Sequence, residues 1–314
     1  MTAAGSSALT PDGITVANAP CSYGAFEITV GVDPSVPPAL LLLDAISSAG
    51  YAGIDLGPLG YLGDQADLPG RLRERALSLA GGYFEIAFSD PGSWPDGLRR
   101  LDALLDLFDA CGDGAAAPRP TFADAGSPTR AQHPGAAQRD HSLGWDDAGW
   151  RRFADGLLRF SARSRERGYE PTFHPHTATY VEAPWEIERL LEISDVGVCL
   201  DTGHLLLAGG DPVQAVADWG ARLNHVHLKD ARREVIAGIV ADRAPVQEIW
   251  RRRAFCRLGA GDVQLDAVLS QLRSGGYSGW IVVEQDIFPD GAGALPEATA
   301  DQVANREYLA QRGF

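Results

Sequence analysis

The chain has 314 residues and a formal net charge of −15, with 45% hydrophobic and 22% charged residues. This length suits one large α/β domain, and we expect a single domain over residues 1–314 with a flexible N-terminal segment at residues 1–13. The negative charge disfavours nucleic acid as a partner, and the lack of an apolar run of about 18 residues argues against a membrane-spanning helix.

Short β-rich runs alternate with helical segments along the chain, as in repeated βα units. After the third run, for example, Leu101, Leu104 and Leu105 recur at helical spacing. Eight such units without a break in composition predict a closed (β/α)8 TIM barrel, and the lack of a GxGxxG turn after the first strand disfavours a dinucleotide-binding sheet. The predicted strands are residues 14–20, 53–57, 83–88, 120–126, 171–177, 197–203, 223–230 and 279–286.

Two connections in the predicted barrel are unusually long, namely residues 126–146 after the fourth strand and residues 231–259 after the seventh. Connections in compact domains are normally short, so we expect these two to cover the active site as lids. The second contains the basic cluster WRRR at residues 250–253, which we interpret as surface charge.

Polar side chains collect at the carboxyl ends of the last four predicted strands, which is where the active site of a TIM barrel lies. Side chains two positions apart on a strand share a face, so each set can point into the barrel together. The residues are His174 and His176 on the fifth strand, Asp201 and then His204 on the sixth, His225, His227 and Lys229 on the seventh, and Glu284 and Asp286 on the eighth.

Four of these side chains, one from each strand, form the predicted metal site: His176, Asp201, His227 and Glu284. Two imidazoles and two carboxylates are typical ligands of Mn²⁺, Co²⁺, Fe²⁺ or Zn²⁺, and the lack of thiolates argues against a closed structural zinc site. We expect Mn²⁺ or Co²⁺, with Zn²⁺, Fe²⁺ or Mg²⁺ as alternatives. His174 and His225 are expected to support the site or to pack beside it.

Lys229 is the only lysine in the chain, in which arginine occupies the other 26 basic positions. An ammonium can lose its proton when it is desolvated beside a metal, which a guanidinium cannot do. We therefore predict a proton-transfer or charge-tuning role for Lys229. His204, beyond the turn that follows Asp201, is expected to reach the substrate.

Seven segments of the sequence resemble the inosose dehydratases (2-keto-myo-inositol dehydratases) of the xylose-isomerase-like barrel superfamily. They span most of the chain and are specific as a set, whereas DTGH alone would indicate only the superfamily. The segments are VANAPCSYGAFE (16–27), GYAGIDLGPLGYLG (50–63), FHPHTATYVEAPWEIERLLE (173–192), CLDTGHLLLAGGDP (199–212), HVHLKD (225–230), FCRLGAGDVQLDAV (255–268) and GYSGWIVVEQD (276–286).

This resemblance implies a metal-dependent lyase that removes water from a cyclic polyol ketone through a metal-stabilised enolate. It assigns the same four residues to the metal. Glu182 follows His176 at the interval that separates the fifth-strand ligand from a second acid in sugar epimerases of the superfamily, so it inherits an acid or base role. Glu182, His204 and Lys229 are therefore the predicted catalytic residues, and Asp55, His174, Arg233 and Arg257 the predicted substrate contacts.

Three departures from the family pattern affect the wall that faces the metal. Asp55 replaces a usual glutamate, HPH replaces HHH on the fifth strand, and Ser89 replaces a usual histidine after the third strand. These changes leave the substrate open. The alternatives are a ketose isomerase or 3-epimerase, another keto-sugar lyase on the same metal site, and a barrel that binds a sugar without catalysis.

The remaining expectations concern location and partners. Cys21, Cys111, Cys199 and Cys256 form no CxxC pair, and the N-terminus lacks the features of a signal peptide, so we expect a cytoplasmic protein with reduced thiols. The expected partner is a small cyclic polyol or keto-sugar, with no nucleic acid and no membrane. Formation of a homo-oligomer is left open.

Overall fold

A computed structural model describes residues 13–112, 114, 116–288 and 294–314, so the expected flexible segment lies outside the described residues except for Gly13. Eight parallel strands of the described chain close into a barrel, which confirms the predicted (β/α)8 fold. The barrel strands are β1 (Ile14–Asn18), β2 (Gly53–Asp55), β3 (Ser78–Ile86), β4 (Arg119–Asp124), β5 (Thr172–Phe173), β6 (Gly197–Asp201), β7 (Leu223–Leu228) and β10 (Gly279–Val283), and a separate antiparallel pair joins β8 (Asp230–Ala231) to β9 (Phe255–Cys256).

Helices follow the barrel strands and cover the outside of the barrel. Within the described residues, none of them is both long enough and apolar enough to cross a membrane. They are α1 (Ala39–Ser48), α2 (Leu68–Glu74), α3 (Trp94–Cys111), α4 (Pro128–Gln132), α5 (Asp147–Glu166), α6 (Pro184–Ile193), α7 (Thr202–Leu207), α8 (Pro212–Trp219), α9 (Arg233–Asp242), α10 (Gln247–Arg251), α11 (Leu265–Ser274) and α12 (Ala294–Ala310).

The strand bounds differ from the predicted ones mainly at β3 and β5. β3 begins at Ser78, five residues before the predicted start at 83, because the pair Gly81 and Gly82 interrupts the apolar pattern without interrupting the strand. β5 contains only Thr172 and Phe173, so the histidines that follow it lie beyond regular strand geometry.

The core between the barrel and its helices contains a cluster of aromatic rings. Phe88 stacks edge-on against Phe160 of α5, with the ring centroids 5.4 Å apart, and lies 6.0 Å from Phe173 of β5. All three side chains are fully buried. Burying such rings is worth roughly 2 to 3 kcal/mol each, so this cluster fixes α5 against the strands that carry the site.

The two long connections contain secondary structure of their own. Residues 126–146 include α4, and residues 231–259 include α9, α10 and β9. The connections meet each other, because the backbone N–H of Val246 donates to the carbonyl of Ala131 at 2.8 Å. Asp230 anchors the far end of the second connection by accepting backbone hydrogen bonds from Gly259, Gly261 and Val263.

Candidate active site

A cavity of about 440 Å³ opens at the carboxyl ends of the barrel strands. Its size is in the usual range for small-molecule sites. Among the predicted site residues, Asp55, His174, His176, His227, Lys229 and Glu284 line this cavity.

Asp201 uses its two carboxylate oxygens for different tasks. Oδ1 accepts a hydrogen bond of 2.8 Å from the backbone N–H of His204 and thereby caps the start of α7. Oδ2 faces the site, 3.3 Å from His174 Nε2 and 3.2 Å from Lys229 Nζ. The capping bond fixes the carboxylate so that its second oxygen is presented to the site.

Asp201, His227 and Glu284 form a compact group of ligand-type atoms. One such atom of each residue lies within 4.8 Å of the others, and all three residues are buried. His227 Nδ1 lies 3.3 Å from Glu284 Oε2, but neither ring nitrogen of His227 makes a hydrogen bond within the described part of the chain. A buried imidazole beside two carboxylates suits a divalent metal with nitrogen and oxygen ligands.

The structure brings His174, rather than His176, next to this group. The His174 ring lies 4.8 Å from the His227 ring between centroids, and His174, Cys199 and His227 form a second group of possible ligand atoms within 4.8 Å of one another. His176 instead lies 3.9 Å from the His204 ring, and its Nδ1 is hydrogen-bonded to the Thr177 carbonyl at 2.9 Å. Burial lowers the pKa of His176 to about 3, so the ring is neutral.

Lys229 occupies the centre of the acidic cluster. Its ammonium lies 3.0 Å from Glu284 Oε2, 3.0 Å from Asp286 Oδ1 and 3.2 Å from Asp201 Oδ2. Gly203 makes room for the Lys229 stem, since a Cβ at Gly203 would lie 2.8 Å from Lys229 Cγ. Burial alone would lower the pKa of Lys229, but the carboxylates raise it well above its ordinary value. Three carboxylates surround this amine, and loss of its proton beside a bound metal stays a prediction.

His204 lies beside Lys229 and outside the lining of the cavity. Its Nδ1 is hydrogen-bonded to Thr177 Oγ1 at 2.7 Å, and its Nε2 lies 3.3 Å from Lys229 Nζ. Both ring nitrogens of His204 therefore have partners in the protein, and its contact with substrate stays a prediction.

Glu182 lies outside the lining of the cavity in a buried network. Its Oε2 accepts from Arg130 at 2.9 Å, and its Oε1 accepts from the backbone N–H groups of Gly135 and Ala178 at 2.8 and 2.9 Å. Arg130 also pairs with Glu186 at 2.8 Å. Burial raises the pKa of Glu182 to about 7. Glu182 thus ties the first long connection to the loop after β5.

Asp55 of β2 lines the cavity, and one of its carboxylate oxygens lies within 4.8 Å of a ring nitrogen of His225 and of His227. Its Oδ1 accepts from the backbone N–H of Gly57 at 3.2 Å, whereas its Oδ2 is buried and has no hydrogen-bond partner among the residues that the structure describes. Burial raises the pKa of Asp55 to about 6. A carboxylate oxygen without a partner, on a side chain that lines the cavity, is suited to accept a proton.

The two arginines predicted to contact substrate do not reach the cavity. Arg233 is exposed in the first turn of α9. Arg257 is exposed as well, and its Nε lies 3.5 Å from Asp301 Oδ1. Both belong to a connection that the fold turns outward at these positions, so their predicted role is not supported by the geometry.

Several residues of the site were missed by the sequence analysis. Tyr83 and Glu85 of β3 line the cavity, and alternation along that strand would have indicated them. Trp250, interpreted as part of a charged surface cluster, also lines it. No sequence pattern indicated Arg130, because its partners Glu182 and Glu186 lie more than 50 residues away in sequence.

The comparison with protein families identifies the barrel. A family model described as "Xylose isomerase-like TIM barrel" matches residues 43–306. The chain belongs to this family. The xylose isomerase-like barrel also accounts for the position of the candidate site at the carboxyl ends of the strands.

Curated proteins that are similar in sequence to this chain confirm the resemblance to inosose dehydratases. The chain is 28% identical to the inosose dehydratase of Geobacillus kaustophilus over 276 residues, which cover 85% of each protein. It is 34% identical to that of Bacillus thuringiensis over 166 residues, about half of each chain at 52% and 54%. These similarities support the predicted enzyme, a hydro-lyase.

A solved structure shows the same fold at low sequence identity. The IOLI protein, determined with a bound zinc atom, superposes with a TM-score of 0.64 and 12% identity, covering 95% of this chain and 97% of that one. At this identity the likeness shows the fold alone.

Proposed function

We propose that this protein is a divalent-metal-dependent hydro-lyase that removes water from a cyclic polyol ketone such as 2-keto-myo-inositol. The observation that carries the proposal is the convergence of Asp201, His227 and Glu284, of which His227 and Glu284 line the cavity. The similarity to curated inosose dehydratases supports the same reaction class. Mn²⁺ or Co²⁺ as the metal, a role in inositol catabolism and a cytoplasmic location belong to the same proposal.

Asp201, His227 and Glu284 would hold the metal, with a fourth ligand from the segment after β5. His176 was the predicted fourth ligand, but His174 is favoured by its contact with Asp201 Oδ2 at 3.3 Å. When bound, the metal would act as a Lewis acid toward the ketone oxygen.

The chain's own residues would handle the protons of the dehydration. This reaction takes a proton from the carbon beside the ketone and releases hydroxide from the next carbon. Asp55 is the favoured base, since it lines the cavity, its Oδ2 has no hydrogen-bond partner among the described residues, and it lies on a different strand from the ligands. The Lys229 ammonium would donate a hydrogen bond to the departing oxygen, while His204 and Asp286 hold its position.

The test is a metal-restoration assay. Protein stripped with a chelator is supplied with Mn²⁺, Co²⁺ or Zn²⁺ and incubated with scyllo-inosose, and the enolised diketone product is followed by ultraviolet absorbance. We expect no activity in the stripped protein and recovery with at least one metal. Asp201→Asn should abolish the recovery, whereas Asp211→Asn, which changes an exposed aspartate that also caps a helix, should retain it. Full activity in the stripped protein would refute the proposal.

A further inference from the structure

We propose that the outer part of the cavity is a subsite for an uncharged, apolar substituent, so that the physiological substrate is a substituted ring, such as an aryl glycoside, rather than a bare polyol. The inference rests on the proposed function, which places the ketone end of the substrate at the metal. It concerns the rim residues Phe26, Ile28, Leu59 and Trp250, which none of the catalytic roles uses.

The cavity wall changes character from its base to its opening. The base contains ionisable groups, among them Asp55, Lys229 and Glu284. The opening contains Ile28 and Leu59, which line the cavity and are nevertheless 60% and 51% exposed. Exposed large apolar side chains grouped at the mouth of a site commonly mark a binding surface.

The apolar rim is held in place before any ligand arrives. Thr29 Oγ1 accepts from the backbone N–H of Phe26 at 2.8 Å and donates to the Gly24 carbonyl at 2.6 Å, which fixes the turn that presents Phe26 and Ile28. The Phe26 and Trp250 rings lie 6.0 Å apart between centroids. A rim that is already ordered loses little conformational freedom on binding.

An unsubstituted polyol would make few favourable contacts with the apolar side chains of this rim. A ring with hydroxyl groups around its edge would set some of them against Ile28, Leu59 and Phe26, where those hydroxyls would lose hydrogen bonds to water and find no polar partner on these three side chains. An aryl or alkyl substituent at the same place would bury apolar surface on both sides.

The charges near the rim disfavour an anionic substituent. Glu27 and Glu85 line the cavity there, and Arg100, which lines it beside them, donates to the Glu85 carbonyl at 3.2 Å and lies over the Phe84 ring. A phosphate or carboxylate on the substrate would meet these carboxylates. The rim therefore selects a neutral group.

Calorimetry on the Mn²⁺-loaded protein tests the subsite with two ligands that share one polyol, methyl β-D-glucoside and phenyl β-D-glucoside. We expect the phenyl compound to bind about tenfold more tightly. Leu59→Ala and Trp250→Ala should each reduce this ratio to about threefold or less. Leu158→Ala, which shortens a leucine that is 64% exposed and lies outside the cavity, should leave the ratio unchanged.

Equal affinities, no binding of either compound, or a ratio unaffected by both rim variants would overturn the subsite. The scyllo-inosose assay keeps this failure distinct from failure of the proposed function. Dehydration of scyllo-inosose without a preference for the phenyl compound would refute the subsite alone. A clear preference in a protein that does not dehydrate scyllo-inosose would refute the proposed activity on that substrate and leave the subsite standing.

Discussion

The ammonium of Lys229 lies 3.0 Å from Oε2 of Glu284, close to where the carboxylates of the candidate metal site converge. Asp201 Oδ2 and Asp286 Oδ1 lie within 3.2 Å of the same nitrogen. One cation therefore balances part of the negative charge at the base of the cavity, and the balance matters most when no metal is bound.

Lys229→Met should destabilise the metal-free protein and increase the stabilisation that Mn²⁺ provides. Removing the ammonium leaves three buried carboxylates without their partner, and breaking a buried ion pair in this way costs about 3 to 5 kcal/mol. Urea unfolding in chelator and in excess Mn²⁺ measures both effects. Equal stability of the variant and the natural protein in chelator would contradict the role of Lys229 in charge balance.

The Mn²⁺ affinity of single variants distinguishes which of the two histidines after β5 is the fourth metal ligand. His174→Ala should weaken Mn²⁺ binding at least tenfold, whereas His176→Ala should change it less, because only His174 contacts Asp201 Oδ2. Isothermal titration calorimetry on chelator-treated protein measures both affinities. A larger loss with His176→Ala would restore His176 as the fourth ligand.

Glu182→Gln separates a catalytic role from a structural one. The family pattern predicts that this change abolishes turnover. The structure predicts that metal-loaded protein keeps most of its turnover, because a glutamine oxygen can still accept from Gly135 and Ala178, and residue 182 lies outside the cavity lining. The measurement is kcat on scyllo-inosose with metal content determined in parallel. Loss of turnover at full metal content would return Glu182 to the mechanism.

Asp124, at the end of β4, should make stability depend on pH. Burial raises its pKa to about 7, above the ordinary value of an unfolded aspartate. The folded protein therefore holds this proton more tightly, and the free energy of unfolding falls as pH rises toward 7. Between pH 5 and pH 8, Asp124→Asn should gain about 2 to 3 kcal/mol relative to the natural protein. Urea unfolding in chelator at both pH values measures this gain, and an equal difference at both would contradict it.

Strand periodicity and the position of polar residues were sufficient to predict the barrel and the base of the site. Asp201, His227 and Glu284 each lie at the end of a barrel strand or directly after it, where topology alone brings them together. At and beside regular strands, the alternation of residues along the sequence predicts which side chains point into the barrel.

Sequence patterns do not determine the positions of side chains that lie beyond regular strands or depend on distant partners. β5 ends at Phe173, so alternation does not determine which of His174 and His176 faces Asp201. Glu182 is paired with Arg130, which belongs to the long connection after β4. No local sequence pattern encodes that contact. Exposure of Arg233 and Arg257 likewise depends on how their connection packs.

The central claim is that Asp201, His227 and Glu284 bind one divalent cation, and anomalous diffraction from a crystal soaked with Mn²⁺ tests it most directly. We expect one strong peak in contact with a carboxylate oxygen of Asp201 and of Glu284 and a ring nitrogen of His227, at roughly 2.0 to 2.4 Å from each. A map without a peak among these three side chains, in protein soaked at saturating Mn²⁺, would contradict the account.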